Sequence, residues 1–286
     1  MAETAYTTFS ISPLSNTPHA LRLTFSNPPI NLITPLFLSE IVQYLTSLSP
    51  TTHPDPPKLL ILSSSNPDFW LSHLDLHIIS AKYPLAEGQN AGEALHNLGV
   101  ALQLLRDLPT IFVSEINGRA IGGGNEFAMN TDLRFAGPNA KFGIPEVAGG
   151  VVHGGALQRL VQVIGPSQTL EWNLSARTVD AKEAERIGWV NRAFESGEEL
   201  RSYVDGLAMR VAQFPRGGIE GTKKSVQEAL LGQGSVEKDM QRLGELAHTE
   251  EAQEAIAKFI EAGDQGRSQF ELGLPETAGD IWKAGG

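Results

Sequence analysis

Cysteine is absent from all 286 residues, which removes disulfides, thiolate nucleophiles and thiolate metal sites together and fits a reducing compartment. Long apolar runs are missing too. Hydrophobic residues make up 41% of the chain, but they fall in short stretches far from membrane-spanning length, so no membrane span is expected. Positive charge is scarce: 22 Lys and Arg stand against 33 Asp and Glu, a net −11. That balance disfavours nucleic acids and acidic membranes as partners, because affinity for phosphate backbones comes from clustered Lys and Arg. The start carries Glu3 and no Arg before Arg22, and so lacks the pattern of a secretory signal or an organellar presequence. Lys283-Ala284-Gly285-Gly286 is not a peroxisomal address of the Ser-Lys-Leu type. The expected location is cytoplasmic.

What is present suits one large domain, or one domain with an appendage. The first half alternates β-type runs (Leu21 to Phe25, Leu59 to Ser63, Ile111 to Ile116) with amphipathic segments near 35–48 and 92–106, an α/β rhythm. Pro50, Pro54, Pro56 and Pro57 mark a surface loop entering a strand at Lys58. After residue 197 the spacing predicts helices over 198–213, 216–231 and 236–262, with breaks at Pro215 and at Gly232/Gly234. The organisation expected is an α/β core with the active site over 1–197, a helical oligomerisation region over 198–262, and a loosely packed, flexible tail over 263–286.

The stretch that carries chemistry runs from Thr110 to Met129. A β-branched run ends at Asn117-Gly118, meets Gly122, Gly123 and Gly124, and enters a helix-forming sequence with Glu126 in its first turn. Glycines at such a junction let a ligand approach the backbone, and the helix start directs free N–H groups and a positive dipole at it. A dinucleotide fingerprint fails because Phe127 stands where the last glycine should be, and the Gly-Lys-Ser/Thr of a P-loop is missing. An oxyanion site remains, beside the plainer reading of glycines that only ease packing. Glu126 has two readings as well, a complement to the helix dipole or an acid–base group. A second carboxylate, Glu146, follows a Pro145-fixed turn after Ala140-Lys141-Phe142-Gly143-Ile144. Two carboxylates near an oxyanion site suit acid–base work on a carbonyl substrate.

These motifs resemble the crotonase (enoyl-CoA hydratase/isomerase) superfamily. Asn117-Gly118, the glycine triplet, Glu126, Phe142-Gly143-Ile144-Pro145-Glu146 and Gln158-Arg159-Leu160 agree in order and spacing. Further support comes from Asn27-Pro28-Pro29-Ile30-Asn31-Leu32, from Phe69-Trp70-Leu71-Ser72-His73-Leu74-Asp75-Leu76, and from Leu174-Ser175-Ala176-Arg177 through Ala181, Ala184, Gly188, Trp189 and Val190. The resemblance covers residues 20–262. It implies a crotonase-type spiral core of repeated ββα units in two roughly perpendicular sheets, followed by helices that assemble a homotrimer or hexamer. It implies backbone N–H donors of an oxyanion hole at Leu74 and Gly123, catalytic Glu126 and Glu146, and substrate contacts at Ser72, His73, Asp75, Gly122, Gly124 and His153. The implied substrate is an acyl-CoA or related acyl thioester. No cofactor is implied, CoA entering only as part of the substrate, and no metal. Hydratases keep both glutamates whereas double-bond isomerases commonly keep one, so the pair favours addition or elimination of water at the 2,3 bond.

The chain also departs from the family. Ser72-His73 replaces the usual Ala-Gly before Leu74. Where many members place cations against the CoA phosphates, this chain has Pro29-Ile30, His77 and Ala262-Gly263. His73 and His77 bracket Asp75 at helical spacing, which without a third ligand reads as a polar face. His153, in the Gly-rich turn after Glu146, either lines the acyl pocket or fills the turn. The alternatives are a biosynthetic isomerase, dehydratase or C–C hydrolase acting on a specialised or non-CoA acyl group, and a catalytically silent or RNA-binding member of the fold. The two glutamates speak against silence and the acidic balance against RNA.

Overall fold

A computed structural model describes residues 6–14, 17–263, 268–274 and 276–282. The chain divides into two compact units, Met1–Gly206 and Leu207–Gly286. In chain order the first holds β1 (Phe9–Leu14), β2 (Thr17–Phe25), α1 (Pro35–Ser47), β3 (Leu59–Ser64), β4 (Phe69–Leu71), α2 (Ala91–Asp107), β5 (Ile111–Ile116), β6 (Arg119–Ile121), α3 (Gly123–Asn130), β7 (Leu133–Ala136), β8 (Lys141–Gly143), α4 (Leu157–Ser175), β9 (Thr178–Asp180), α5 (Ala181–Arg186) and β10 (Arg192–Ala193). Helix α6 (Gly197–Gln213) runs across the division.

The strands form a six-stranded sheet in the order β1-β2-β3-β5-β7-β10 and a four-stranded sheet in the order β4-β6-β8-β9. Among the described strands, only β1 on β2 and β9 on β8 are antiparallel. Three successive units, β3-β4-α2, β5-β6-α3 and β7-β8-α4, each give one strand to either sheet and then a helix. The chain therefore carries the repeated ββα core that its motifs imply.

Local chemistry explains the elements. Leu59–Leu62 is buried throughout, as a parallel strand covered on both faces requires. Helix α1 opens with Thr34 accepting the amide of Phe37 and with Pro35 in its first turn, and Asn90 caps α2 by accepting the amide of Glu93. The core is continuous in aromatic rings: Phe37 meets Phe25 and Phe127 edge-on, and Phe25 meets Trp70 at 5.2 Å. Beneath it, buried Glu115 pairs with Arg22 at 2.9 Å and with Arg201 at 3.0 Å.

The second unit contains α7 (Arg216–Leu230), α8 (Val236–Ala247), α9 (Glu250–Gly263), α10 (Gln269–Leu272) and a 3-10 segment Glu276–Trp282. The single helix expected over 236–262 is two. Thr249 makes the break: its hydroxyl donates to Leu246 O at 2.8 Å and accepts from Ala252 N at 3.3 Å, ending one helix and capping the next. The tail expected from 263 includes α10 and the 3-10 segment, while residues 264–267, 275 and 283–286 lie outside the described ones. Among the described residues no helix is long and apolar enough to cross a membrane.

Candidate active site

Strands β4, β6 and β8 lie side by side and parallel, so their C-terminal ends open at one edge of the smaller sheet. Each end runs straight into a segment that the sequence singles out: Ser72–Asp75 after β4, Gly122–Glu126 after β6, and Ile144–Glu146 after β8. Topology thus gathers residues that lie more than seventy positions apart.

The first segment is held by residues 31–33. Ser72 N donates to Asn31 O at 2.9 Å, Ile33 N to His73 O at 3.1 Å and Asp75 N to Ile33 O at 2.9 Å, a parallel bridge between Ile33 and Leu74. In that pattern Ile33 bonds to the residues flanking Leu74, so the N–H of Leu74 itself points away from Ile33. Gly123 lies against both residues. A Cβ added to Gly123 would lie 3.3 Å from Leu74 N and 2.7 Å from Ile33 Cδ1, so a side chain there would have to displace its neighbours. Gly123 is also the first residue of α3, whose leading amides have no acceptor within the helix. The Leu74 N–H, directed away from Ile33, and the leading amides of α3 lie near the positive end of a buried helix, an arrangement that can stabilise charge growing on a carbonyl oxygen.

Gly122 takes φ +56° as it turns from β6 into α3, a conformation that favours glycine, and its amide donates to Gly143 O at 2.9 Å. A Cβ on it would lie 3.1 Å from Glu146 Oε1. Glu126, from the helix after β6, and Glu146, from the turn after β8, converge on His153. Glu126 Oε1 accepts the amide of Gly155 at 2.8 Å and lies 3.5 Å from His153 Nδ1, while Glu146 Oε1 lies 2.9 Å from the same nitrogen. Glu146 Oε2 is buried without a hydrogen-bond partner. Together the three residues place one potential ligand atom each within 4.8 Å of one another.

Helix α3 fixes the turn that carries His153. Asn130 Nδ2 donates to Gly155 O at 3.0 Å, Gly155 donates to Glu126, and Asn125 Nδ2 stands 3.1 Å from His153 Nε2. Asn125 Oδ1 in turn accepts from Trp189 Nε1 at 2.9 Å. The sequence names Glu126, Glu146, Gly122, Gly123, Leu74 and His153, and the structure brings them together. The other residues named from the sequence make contacts of their own. The carboxylate of Asp75 accepts from the amide and ring of His77, at 3.0 and 2.7 Å. His73 Nδ1 donates to Leu74 O at 2.9 Å, and Ser72 is buried. Gly124 presses on the end of β4, where an added Cβ would stand 1.9 Å from Leu71 O. Sequence reasoning assigns no role to Asn125, Trp189 as a donor, or Gly155. Asn125 lies inside the glycine-to-glutamate motif, which is the one signal that could have marked it.

The sequence model of the family described as enoyl-CoA hydratase/isomerase matches residues 19–269. The chain belongs to this family. Crotonase-type relatives agree: it is 32% identical over 180 residues to a short-chain-enoyl-CoA hydratase of Clostridium acetobutylicum, covering 61% of this chain and 67% of that one. It is 33% identical over 153 residues to 2,3-dehydroadipyl-CoA hydratase of Escherichia coli, where the match spans 52% of this chain and 59% of that one. Among solved structures, DspI of Pseudomonas aeruginosa superposes with a TM-score of 0.80 at 26% identity, over 93% of this chain and 99% of that one.

Proposed function

We propose that this crotonase-family chain adds water across the 2,3 double bond of a 2-enoyl thioester, and eliminates it in reverse. In this reading the N–H groups of Leu74 and Gly123 hold the thioester carbonyl and stabilise the enolate. Glu126 takes a proton from water as its oxygen bonds to C3, and Glu146 delivers a proton to C2. Product gains H and OH, and the proton gained by one carboxylate balances that lost by the other. With Oε1 turned to His153, Glu146 has Oε2 free to carry the proton it transfers. The two glutamates act on one water, so base and acid are roles within a pair.

The observation that carries this reading is the convergence of two carboxylates on one edge of the smaller sheet, within 2.9 and 3.5 Å of a common nitrogen and beside the two backbone donors. The test is hydration of a short 2-enoyl-CoA, followed as loss of the absorbance of the conjugated thioester. Wild type should consume the signal, and Glu126→Gln and Glu146→Gln should do so at least about a hundredfold more slowly. Double-bond migration without hydration would replace the reading with an isomerase.

A further inference from the structure

Hydrogen-bond direction decides the state of His153. An indole N–H can only donate, so the Asn125 atom 2.9 Å from Trp189 Nε1 is the amide oxygen. The NH2 of Asn125 therefore faces His153 Nε2 at 3.1 Å. An NH2 can only donate as well, which makes Nε2 an acceptor and leaves the single ring proton on Nδ1. That Nδ1–H lies 2.9 Å from Glu146 Oε1 and 3.5 Å from Glu126 Oε1. The His153 side chain is wholly buried, as is Asn125, so water offers no alternative partner to either. We propose that His153 is a positioning residue, locked as the neutral Nδ1–H imidazole by Trp189 and Asn125, that aligns the carboxylates of Glu146 and Glu126 for acid–base work.

The proposal rests on the reading of the two glutamates as the reacting pair, and it extends that reading to what holds them. With Glu146 carrying its proton on Oε2 and Glu126 ionised, a single N–H facing both Oε1 atoms, at 2.9 and 3.5 Å, orients them without the full positive charge of an imidazolium. A second ring proton would have to sit on Nε2, where the NH2 of Asn125 already points. The same logic separates this cluster from a metal site: Glu126, Glu146 and His153 have the donor types of a divalent-cation centre, but a nitrogen that carries a proton cannot ligate. The charged groups that face His153 are Glu126 from α3 and Glu146 from the turn after β8, while Asn125 and Trp189 are neutral.

Nitrogen-15 NMR of the histidine rings in the full-length protein tests the tautomer without reference to substrate. His153 should show a protonated Nδ1 and an unprotonated Nε2, unchanged when Zn2+ is added. An Nε2-protonated ring, or Zn2+ bound at Nδ1, overturns the proposal. Kinetics test the role. In Asn125→Asp an oxygen replaces the NH2 and Nε2 gains a proton to donate to it; the new carboxylate holds the ring at Nε2 while Nδ1 faces Glu146, so the imidazolium is the nearer charge and the kcat/KM profile should move to lower pH. His153→Leu should lower kcat about a hundredfold with little change in KM, as misplaced catalytic groups do. An unmoved profile in the first variant, or wild-type kcat in the second, rejects the positioning role. Failure of wild type to hydrate any enoyl thioester would instead sink the proposed reaction, leaving the ring-nitrogen result to judge the lock by itself.

Discussion

Gly155 and Glu126 are fitted to each other: the glycine amide donates to the carboxylate at 2.8 Å, and a Cβ on the glycine would stand 2.9 Å from Cδ and Oε2 of that same carboxylate and 2.4 Å from Leu102 Cδ1. The contact needs a backbone donor without a side chain. Gly155→Ala is expected to push Glu126 out of place, lowering kcat about a hundredfold and costing about 1–3 kcal/mol of stability through overpacking. Steady-state kinetics and urea unfolding of the same sample check both. Activity within about twofold of wild type would show that the carboxylate position does not matter.

Glu126→Gln and Glu146→Gln each keep shape and remove a proton-transfer group. Turnover should fall about a hundredfold to ten-thousandfold in either variant with the fold intact by circular dichroism. Because the two act as a unit, the double variant should lose much less than the product of the single losses. Multiplicative losses would mean that the residues act independently.

Tyr44 gives a stability prediction away from the site. Its hydroxyl is buried without a hydrogen-bond partner, and burial first, then the nearby Tyr6, pushes its pKa above the usual value for tyrosine. The folded value exceeds the unfolded one, so the stability that this group contributes is complete below about pH 10 and is lost as pH rises through the range above it. Tyr44→Phe should remove that part of the alkaline loss and, by deleting an unsatisfied polar group, raise stability near pH 7 by about 1 kcal/mol. Urea midpoints at pH 7 and pH 10.5 decide it, a lower midpoint at pH 7 counting against the unpaired hydroxyl.

The sequence showed the larger sheet better than the smaller one. Leu59–Ser63 and Ile111–Ile116 are long enough to carry an apolar signature, whereas β4, β6 and β8 have three residues each and no readable period. Those short strands set the site, and only the motifs at their ends marked it. Glu126 and Glu146 were legible because local chemistry, a helix start and a Pro-fixed turn, announces them. The state of His153 was not, since it depends on Asn125, 28 residues away, and on Trp189, which is 64 residues from Asn125. The helix break at Thr249 was hidden because Thr is tolerated within helices, and only its hydrogen bonds make it a cap.

The carrier is where the acyl chemistry and the binding chemistry part. The positions at which family members often hold CoA phosphates carry Pro29-Ile30, His77 and Ala262-Gly263 in this chain. His77, the one that could gain a positive charge, has its ring nitrogen bound to Asp75 Oδ1 at 2.7 Å, so the carboxylate offsets whatever charge the ring acquires. Charge-assisted bonds to phosphate are about twice as strong as neutral ones, and with none supplied at these positions the nucleotide should add little to transition-state binding. Truncating a short enoyl-CoA to its pantetheine thioester is therefore expected to cost less than about tenfold in kcat/KM, and the KM for the CoA ester is expected to stand well above the micromolar end of the usual range. The comparison uses one acyl group on both carriers. A loss of about a hundredfold on truncation, equivalent to roughly 2.7 kcal/mol, would mean that other cations hold the nucleotide and that CoA is recognised along its whole length.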